Sequence, residues 1–168
     1  SETPQNAHEL LLDIGYWDST FNPYPQRIGA STSELQIELP DLAEEERLDL
    51  THLLALAIDD EGSRDPDDAL SWDNGRLWVH IADVAALITP DSSADLEARG
   101  RGANLYLPEG TVPMLPREAT ERLALGLSQS GISPALSFAL DLSAAGEIEH
   151  VEITPSWVRV TRTTYEAA

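Results

Sequence analysis

A turn signal at Asn74-Gly75 constrains the fold of this chain more than any other feature of its sequence. The two residues lie between the apolar runs 69–72 and 77–84. Asn-Gly favours a type I′ turn, in which both central residues take positive φ, and the twist of this turn matches that of two antiparallel strands. The sequence therefore predicts a β-hairpin at this point.

Further strands and two helices are predicted around the hairpin. The continuous apolar run 53–58 is short enough for a buried strand. An Asp-Ser-Ser sequence offers an N-cap for a helix that includes 95–99, and residues 118–127 form a second helical candidate. Strand patterns return from Pro134 onward, with a turn at 143–146. Together these patterns predict an α+β fold with a mixed, mainly antiparallel sheet and flanking helices.

The sequence pattern divides the chain into two parts near residue 40. A short helical stripe at 8–14 ends in an Asn-Pro-Tyr-Pro break, and an extended, polar stretch follows it. We interpret residues 1–39 as a linker segment and residues 40–168 as the folded domain. The acidic run 44–46 is interpreted as a solvated face.

The charge of the chain argues against several classes of function. Its 168 residues carry 30 acidic and 10 basic side chains, all of the latter arginine, for a formal net charge of -20. Proteins that hold nucleic acid by electrostatics alone present basic patches. This chain is unsuited to that mode, unless its acids hold cations that bind phosphates or a basic surface lies elsewhere in a larger protein.

Cysteines and long apolar runs are both missing from the sequence. Without cysteine, the chain can form neither disulfides nor thiolate metal sites. No apolar run approaches the roughly 18 residues that span a bilayer, and no leader pattern is present. We therefore expect a soluble, cytoplasmic protein.

Residues 59–68 form an acidic loop in which six of ten side chains are carboxylates, opposed only by Arg64. Carboxylates this close repel one another, so the loop either projects into water or binds a cation. Apolar runs anchor both of its ends, and Pro66 restricts the backbone between Asp65 and Asp67. Oxygen ligands suit Mg²⁺ or Mn²⁺, whereas the spacing fits neither an EF-hand nor a zinc site. A solvated, turn-rich loop stays the alternative.

Several ordered motifs resemble those of the ribonuclease II/R (RNB) family of exoribonucleases. The main one is Ile58-Asp59, then five residues, then Asp-Pro-Asp-Asp-Ala-Leu at 65–70. The resemblance runs from about residue 40 to the C-terminus, and residues 7–23 resemble the pre-catalytic linker of one branch more weakly. The other matching motifs are Arg-Leu-Asp-Leu at 47–50, Val-His-Ile-Ala-Asp-Val at 79–84, Asn-Leu-Tyr-Leu-Pro at 104–108, Pro-Met-Leu-Pro at 113–116 and Gly-Glu-Ile at 146–148.

This resemblance implies a fold, an activity and a cofactor. By this resemblance, residues 1–39 correspond to a linker or pre-catalytic segment, and residues 40–168 correspond to the N-terminal half of an RNB-type catalytic domain. Members of the family hydrolyse single-stranded RNA from its 3′ end and release nucleoside 5′-monophosphates, using Mg²⁺, with Mn²⁺ as a possible substitute. Metals held by carboxylates can activate water and stabilise charge on the attacking and leaving oxygens.

The resemblance also implies roles for individual residues. Asp59, Asp65, Asp67 and Asp68 become the metal-binding acids, with Asp59 and Asp68 as direct ligands. Asp67 and Asp65 become the catalytic pair, of which Asp67 is the more critical and Asp65 helps to hold the metal. Tyr106 becomes an aromatic that stacks on an RNA base, an interaction that tolerates any base sequence. Without the resemblance, Tyr106 would be interpreted as a core or rim aromatic.

The sequence departs from the family pattern in its extent. A complete catalytic domain continues for about as long again, with a second stacking aromatic, an arginine-rich stretch and a glutamate that have no counterpart here. The resemblance therefore implies that the chain is part of a longer enzyme, with single-stranded RNA, the remaining half of the catalytic domain and RNA-binding barrel modules as its partners. Two other hypotheses stay open: a degenerate relative that binds RNA or metal without turnover, and an acidic interaction domain.

Overall fold

The structure, a computed structural model, describes residues 3–33, 35–63 and 65–168. Two short helices come first, and strands and two further helices alternate after them. In chain order the elements are α1 (Pro4–Asp13), α2 (Tyr24–Arg27), β1 (Leu48–Asp49), β2 (Ala55–Asp59), β3 (Asp68–Asp73), β4 (Arg76–Ala82), a 3₁₀ turn (Val84–Ala86), α3 (Ser93–Arg101), β5 (Leu105–Leu107), β6 (Gly110–Val112), α4 (Arg117–Leu123), β7 (Ser133–Leu142), β8 (Ile148–Val158) and β9 (Val160–Thr164).

The hairpin predicted from Asn-Gly is confirmed. Strands β3 and β4 pair in antiparallel register from Asp68 opposite Ile81 to Asp73 opposite Arg76. Asn74 and Gly75 connect them with φ values of 49° and 85°, as a type I′ turn requires. This hairpin forms the centre of the main sheet and holds one end of the acidic loop.

The two helices predicted after the hairpin are present with shifted ends. Helix α3 begins at Ser93, and the hydroxyl of Ser92 caps it by accepting a hydrogen bond from the Asp95 N–H at 3.3 Å. Helix α4 ends at Leu123, earlier than the pattern at 118–127 predicts. The cause is tertiary, because Ala124 takes an extended conformation and the Leu125 N–H bonds to the Pro66 carbonyl at 2.9 Å.

The main sheet has seven strands in the order β1-β8-β7-β4-β3-β2-β9. Its four central pairings are antiparallel, while β1 pairs with β8 and β2 with β9 in parallel. The predicted α+β class with a mixed, mainly antiparallel sheet is therefore confirmed. Strands β5 and β6 form a separate antiparallel hairpin.

The sheet must curl, because β8 and β9 are consecutive in the chain but lie near opposite edges of the sheet. Strand β8 is second from one end and β9 is at the other end, yet only Arg159 separates them along the chain. A single residue spans at most about 3.6 Å, so the two sides of the sheet approach each other here. Strand β9 thereby reaches β2 and lies beside the acidic loop.

One face of the curled sheet is buried and lined mostly by small residues. Ala57 and Ala69 belong to its core cluster, with Leu50 and Leu125 packed over them. His80 is fully buried on this face and bonds through Nε2 to Ser71 Oγ at 2.8 Å and through Nδ1 to Ser137 Oγ at 2.7 Å. These side chains join three adjacent strands through buried hydrogen bonds.

The other face, which we call the outer face, is apolar but only partly covered. Its side chains pair across strands, since Leu70 lies opposite Val79 and Phe138 opposite Ile153. Trp72 is 62% exposed and Ile153 is 55% exposed. The outer face consists of Leu70, Trp72, Leu77, Val79, Ile81, Leu136, Phe138, Leu140, Val151 and Ile153.

A second core lies beneath α3 and α4. Ala94, Ala119 and Leu123 pack there with Leu87, and Ile37 and Leu39 from the preceding segment pack against them. The division at residue 40 stays a prediction, although this packing already begins on its N-terminal side. No helix among the described residues is long and apolar enough to cross a membrane.

Candidate active site

The acidic loop connects the ends of two paired strands. Asp59 is the last residue of β2 and Asp68 is the first of β3, and these strands pair with Leu56 opposite Leu70. Backbone hydrogen bonds hold the second half of the loop, because the Asp67 carbonyl accepts from the Ala82 N–H at 2.8 Å. The Pro66 carbonyl is held in the same way by Leu125. The loop is therefore attached to β4 and to the segment after α4.

Asp59 is held as a carboxylate by neighbouring donors. The Ser63 hydroxyl is the main cause that lowers its pKa, and the Asp60 N–H adds a hydrogen bond of 2.8 Å to Oδ1. The positive charge of Arg162 lowers the pKa further. Hydrogen bonds and a nearby cation stabilise the ionised form, so Asp59 is charged and available to bind a cation.

The surroundings of Asp67 raise its pKa, whereas those of Asp59 lower it. Partial burial of the Asp67 carboxylate raises its pKa, although its side chain still reaches the surface. The negative charges of Asp65, Asp68 and Asp59 raise it further, in that order. The four aspartates are therefore near enough to repel one another, and Asp67 lies where their combined effect is felt. A cation bound at this point would relieve that repulsion.

Asp65 is bound by two side chains from the chain segment around β5. Asn104 donates from Nδ2 to Asp65 Oδ2 at 2.7 Å, and the Tyr106 hydroxyl reaches the same oxygen at 3.3 Å. The other end of the Asn104 amide is also used, because its Oδ1 accepts from the Met114 N–H at 2.7 Å. Asn104 therefore connects the acidic loop to the hairpin formed by β5 and β6.

Tyr106 is 69% exposed, so it is not a core aromatic, and a position at the rim stays the alternative to base stacking. It lies in β5, opposite Thr111 of β6. Its hydroxyl is directed to Asp65 and its ring is accessible to solvent. An exposed ring beside an acidic site can stack on a nucleic acid base.

The chemistry of the four aspartates fits a hard divalent cation. All of their donor atoms are carboxylate oxygens, which Mg²⁺ and Mn²⁺ prefer. Among the residues that the structure describes, no group of three or more His, Asp or Glu side chains is arranged to hold a metal ion. That arrangement does not conflict with Mg²⁺, which is usually bound by one or two carboxylates, with water and substrate phosphates completing its coordination.

Two other charged features include no residue of the acidic loop. Arg47 is almost completely buried and pairs with Asp83 at 2.6 Å, with its guanidinium 5.4 Å from the centre of the Trp157 ring. This ion pair joins the start of the domain to the sheet.

A groove of about 1010 Å³ is lined by Trp157, Asp49, Glu118 and Glu121, among others, and not by the acidic loop. Its three carboxylates outnumber Arg122, which also lines the groove, and would repel RNA phosphates.

The structure partly assembles the residues that the sequence singled out. Asp67 is electrostatically coupled to the other three aspartates, and Asp65 contacts Tyr106. The roles assigned to these five residues stay predictions. Asn104 had no predicted role, although it stands in a recognised motif, and Ser63 and Arg162 were missed because no local pattern marks them. Arg64 lies outside the described residues.

Comparisons with known proteins identify relatives of this chain. A family model for the RNB domain matches residues 47–168. An uncharacterised ribonuclease of Synechocystis sp. is 39% identical over 95% of this chain and 26% of its own length. The chloroplastic/mitochondrial ribonuclease II of Arabidopsis thaliana is 36% identical over 99% of the chain and 23% of its own length. The chain therefore spans about a quarter of the length of these curated relatives.

Solved structures match the fold. Mycoplasma genitalium RNase R in complex with double-stranded RNA superposes with a TM-score of 0.66 at 24% identity, covering 96% of this chain and 29% of that one. Yeast Ssd1, described as a pseudonuclease, has a TM-score of 0.65 at 28% identity over 77% of this chain and 17% of its own. The same fold thus occurs in a nuclease and in a pseudonuclease.

Proposed function

The chain belongs to the RNB domain family, and from this premise we propose that it is part of a hydrolytic exoribonuclease. The proposed enzyme degrades single-stranded RNA from the 3′ end and releases nucleoside 5′-monophosphates. Its proposed cofactor is Mg²⁺, which Mn²⁺ can replace. Residues 40–168 would form the N-terminal half of its catalytic domain.

The observation that carries this proposal is the electrostatic coupling at Asp67. Partial burial and, after it, the charges of three other aspartates raise the pKa of this residue, and two paired strands hold the ends of the loop that contains them. A rigidly anchored group of mutually repelling carboxylates is a site prepared for a cation. A cation there would link an acidic protein to an anionic substrate, which would reconcile a net charge of -20 with RNA as the substrate.

In this proposal each residue has a distinct task. Asp59 and Asp68 bind the metal directly, Asp65 helps to hold it, and Asp67 is the acid most critical for hydrolysis. When bound, the metal supplies charge stabilisation on the attacking and leaving oxygens. The Ser63 hydroxyl lowers the pKa of Asp59 and so favours its ionised form, and Asn104 holds Asp65 in place.

Tyr106 is proposed to position the RNA. Its exposed ring would stack on a base upstream of the 3′ end, and stacking contributes about 1–3 kcal/mol per base whatever the base is. Because its hydroxyl contacts Asp65, the same side chain would connect RNA binding to the acidic loop. That connection suits an enzyme that must place each successive phosphate at one site.

The outer face gives a reason for a larger assembly. An apolar sheet surface with a tryptophan 62% exposed is unusual for an isolated soluble domain. The relatives are about four times longer than this chain. We propose that the remaining part of the catalytic domain covers this face, and that RNA-binding barrel modules supply the basic surface which the chain lacks.

A catalytically degenerate relative that binds RNA or metal without turnover is the second candidate. The similarity to the pseudonuclease Ssd1 favours it, because the same fold persists there under that description. The presence of all four aspartates at the recognised spacing favours the active enzyme. An acidic interaction domain, the third hypothesis, offers no reason for that spacing.

The decisive experiment uses the longer enzyme that contains this chain, with 5′-labelled single-stranded RNA and Mg²⁺. An exoribonuclease shortens the labelled RNA progressively from the 3′ end to a small limit product. Asp67→Asn should abolish this shortening and leave RNA binding in EDTA nearly unchanged. Glu61→Gln, in the same loop, is the matched control and should stay active. A wild-type enzyme that binds RNA and Mg²⁺ but cleaves nothing would support the degenerate relative instead.

A further inference from the structure

Arg162 of β9 reaches across the sheet to the acidic loop. Strand β9 runs parallel to β2, with Arg162 opposite Ala57 and Thr164 opposite Asp59. The guanidinium Nη2 of Arg162 donates a hydrogen bond to the carbonyl oxygen of Ser63. A residue 99 positions away in sequence therefore holds the middle of the loop.

Ser63 transmits this contact to Asp59. Its N–H donates to the Asp60 carbonyl at 3.1 Å, and the Asp60 N–H donates in turn to Asp59 Oδ1 at 2.8 Å. The Ser63 hydroxyl also favours the ionised form of Asp59, because it lowers the pKa of that carboxyl. Ser63 is thus fixed on one side by Arg162 and on the other side by the first turn of the loop. Displacement of the Ser63 backbone would shift the Asp60 peptide, whose N–H donates to the Asp59 carboxylate.

Gly126 leaves the space that Arg162 needs. A Cβ at Gly126 would lie 3.0 Å from Arg162 Cγ and 3.1 Å from the Val160 carbonyl, and φ at this glycine is +77°. The neighbouring Leu125 donates its N–H to Pro66 in the second half of the loop. The 125–126 segment therefore supports the loop twice, directly at Pro66 and indirectly through the path of Arg162.

We infer that Arg162 is a positioning residue of the candidate active site, which acts through Ser63 to hold the Asp59 carboxylate in its metal-binding orientation. This inference rests on the proposed function for the identity of the ligand. Arg162 contacts neither metal nor RNA in this role. Groups that orient a metal ligand from behind typically contribute about 10–100-fold to metal affinity or activity.

The test uses the longer enzyme carrying Arg162→Gln, Ser63→Ala or both. Arg159→Gln is the matched control, because Arg159 is exposed and forms no hydrogen bond with the described part of the acidic loop. Mn²⁺ affinity is measured by electron paramagnetic resonance without RNA, and amide exchange is measured over 59–63. Both single variants should weaken Mn²⁺ binding about tenfold. Arg162→Gln should also raise exchange at the Ser63 amide, while RNA binding in EDTA stays unchanged.

Coupling between the two residues sharpens the test. Because Arg162 acts through Ser63, the double variant should weaken Mn²⁺ binding by less than the product of the two single effects. Wild-type Mn²⁺ affinity and exchange in Arg162→Gln, or equal losses in Arg159→Gln, would overturn the inference. If Arg162→Gln does not fold, Arg162→Lys takes its place, and wild-type amide exchange at Ser63 in that variant would overturn the inference.

The result is independent of RNA cleavage. A wild-type enzyme that fails to degrade RNA would refute the proposed function, whereas the Mn²⁺ and exchange measurements would still report on Arg162. Arg162→Lys provides a graded variant that keeps the charge and loses the planar donor group. It should recover part of the Mn²⁺ affinity if the contact with Ser63 matters, and no recovery relative to Arg162→Gln would count against the inference.

Discussion

The side-chain amide of Asn104 connects Asp65 to the backbone of Met114. It donates to Asp65 Oδ2 at 2.7 Å and accepts from the Met114 N–H at 2.7 Å, so both ends of one amide are used. The acidic loop and the hairpin of β5 and β6 are therefore held in one arrangement. An amide that is satisfied at both ends has one orientation, and it imposes that orientation on Asp65.

Asn104→Ala should lower RNA cleavage by the longer enzyme about 10–100-fold, the usual effect of losing a group that orients a metal ligand. The physical reason is the loss of the hydrogen bond that fixes the Asp65 carboxylate. Steady-state kinetics with a short single-stranded RNA would measure it. Asn74→Gly, in the hairpin turn remote from the loop, is the control. Wild-type kcat in Asn104→Ala would contradict the positioning of Asp65 by this amide.

Tyr106→Ala should weaken binding of single-stranded RNA roughly tenfold, since one stacked base contributes about 1–3 kcal/mol. Tyr106→Phe retains the ring and should retain RNA affinity, but it removes the hydroxyl that contacts Asp65. Fluorescence anisotropy in EDTA separates binding from cleavage. Tyr16→Ala, at a tyrosine 73% exposed, is the control. Equal affinities for the wild type and Tyr106→Ala would exclude stacking at this position.

The stability of the protein should fall as the pH decreases from about 6.5 to about 4. Burial lowers the pKa of His80 from 6.5 to about 4. In that pH range the unfolded chain binds a proton at this position and the folded protein does not, so protons favour unfolding. A shift of this size corresponds to roughly 3 kcal/mol of lost unfolding free energy.

Urea unfolding at a series of pH values would measure this slope. His80→Asn should remove the contribution of His80, whereas His150→Gln, at an exposed position, should keep it. Acidic groups add their own losses at low pH, so the difference between the two variants is the quantity to compare. An identical pH slope in both would show that His80 titrates normally in the folded protein.

The 168-residue chain on its own should self-associate through the outer face. Trp72→Ser should weaken that association about tenfold or more, because burial of a large apolar side chain contributes roughly 1.5–3 kcal/mol. Sedimentation velocity over a concentration series would show it. Leu54→Ser is the control, since Leu54 is 71% exposed but lies outside this face. A monomeric wild-type chain would show that the exposed outer face does not drive self-association.

Local signals in the sequence predicted much of the fold. The turn at Asn74-Gly75 depends only on two residues that accept positive φ, and Ser92 caps α3 through an N–H three residues away. Such features depend on neighbours along the chain and need no knowledge of the rest of the molecule. The end of α4 could not be predicted in this way, because Leu125 forms its hydrogen bond with Pro66.

The candidate site likewise has features that follow from residue order and features that depend on tertiary contacts. The sequence by itself determined the four aspartates, their spacing and the family to which the chain belongs, because these are properties of residue order. Only the tertiary structure decided that Asn104 orients Asp65, that Arg162 supports Ser63 and that one face of the sheet is left apolar and exposed. The physical reason is that each of these depends on how distant strands meet. The curl at Arg159 brings β9 beside β2, and no local pattern of residues encodes that closure.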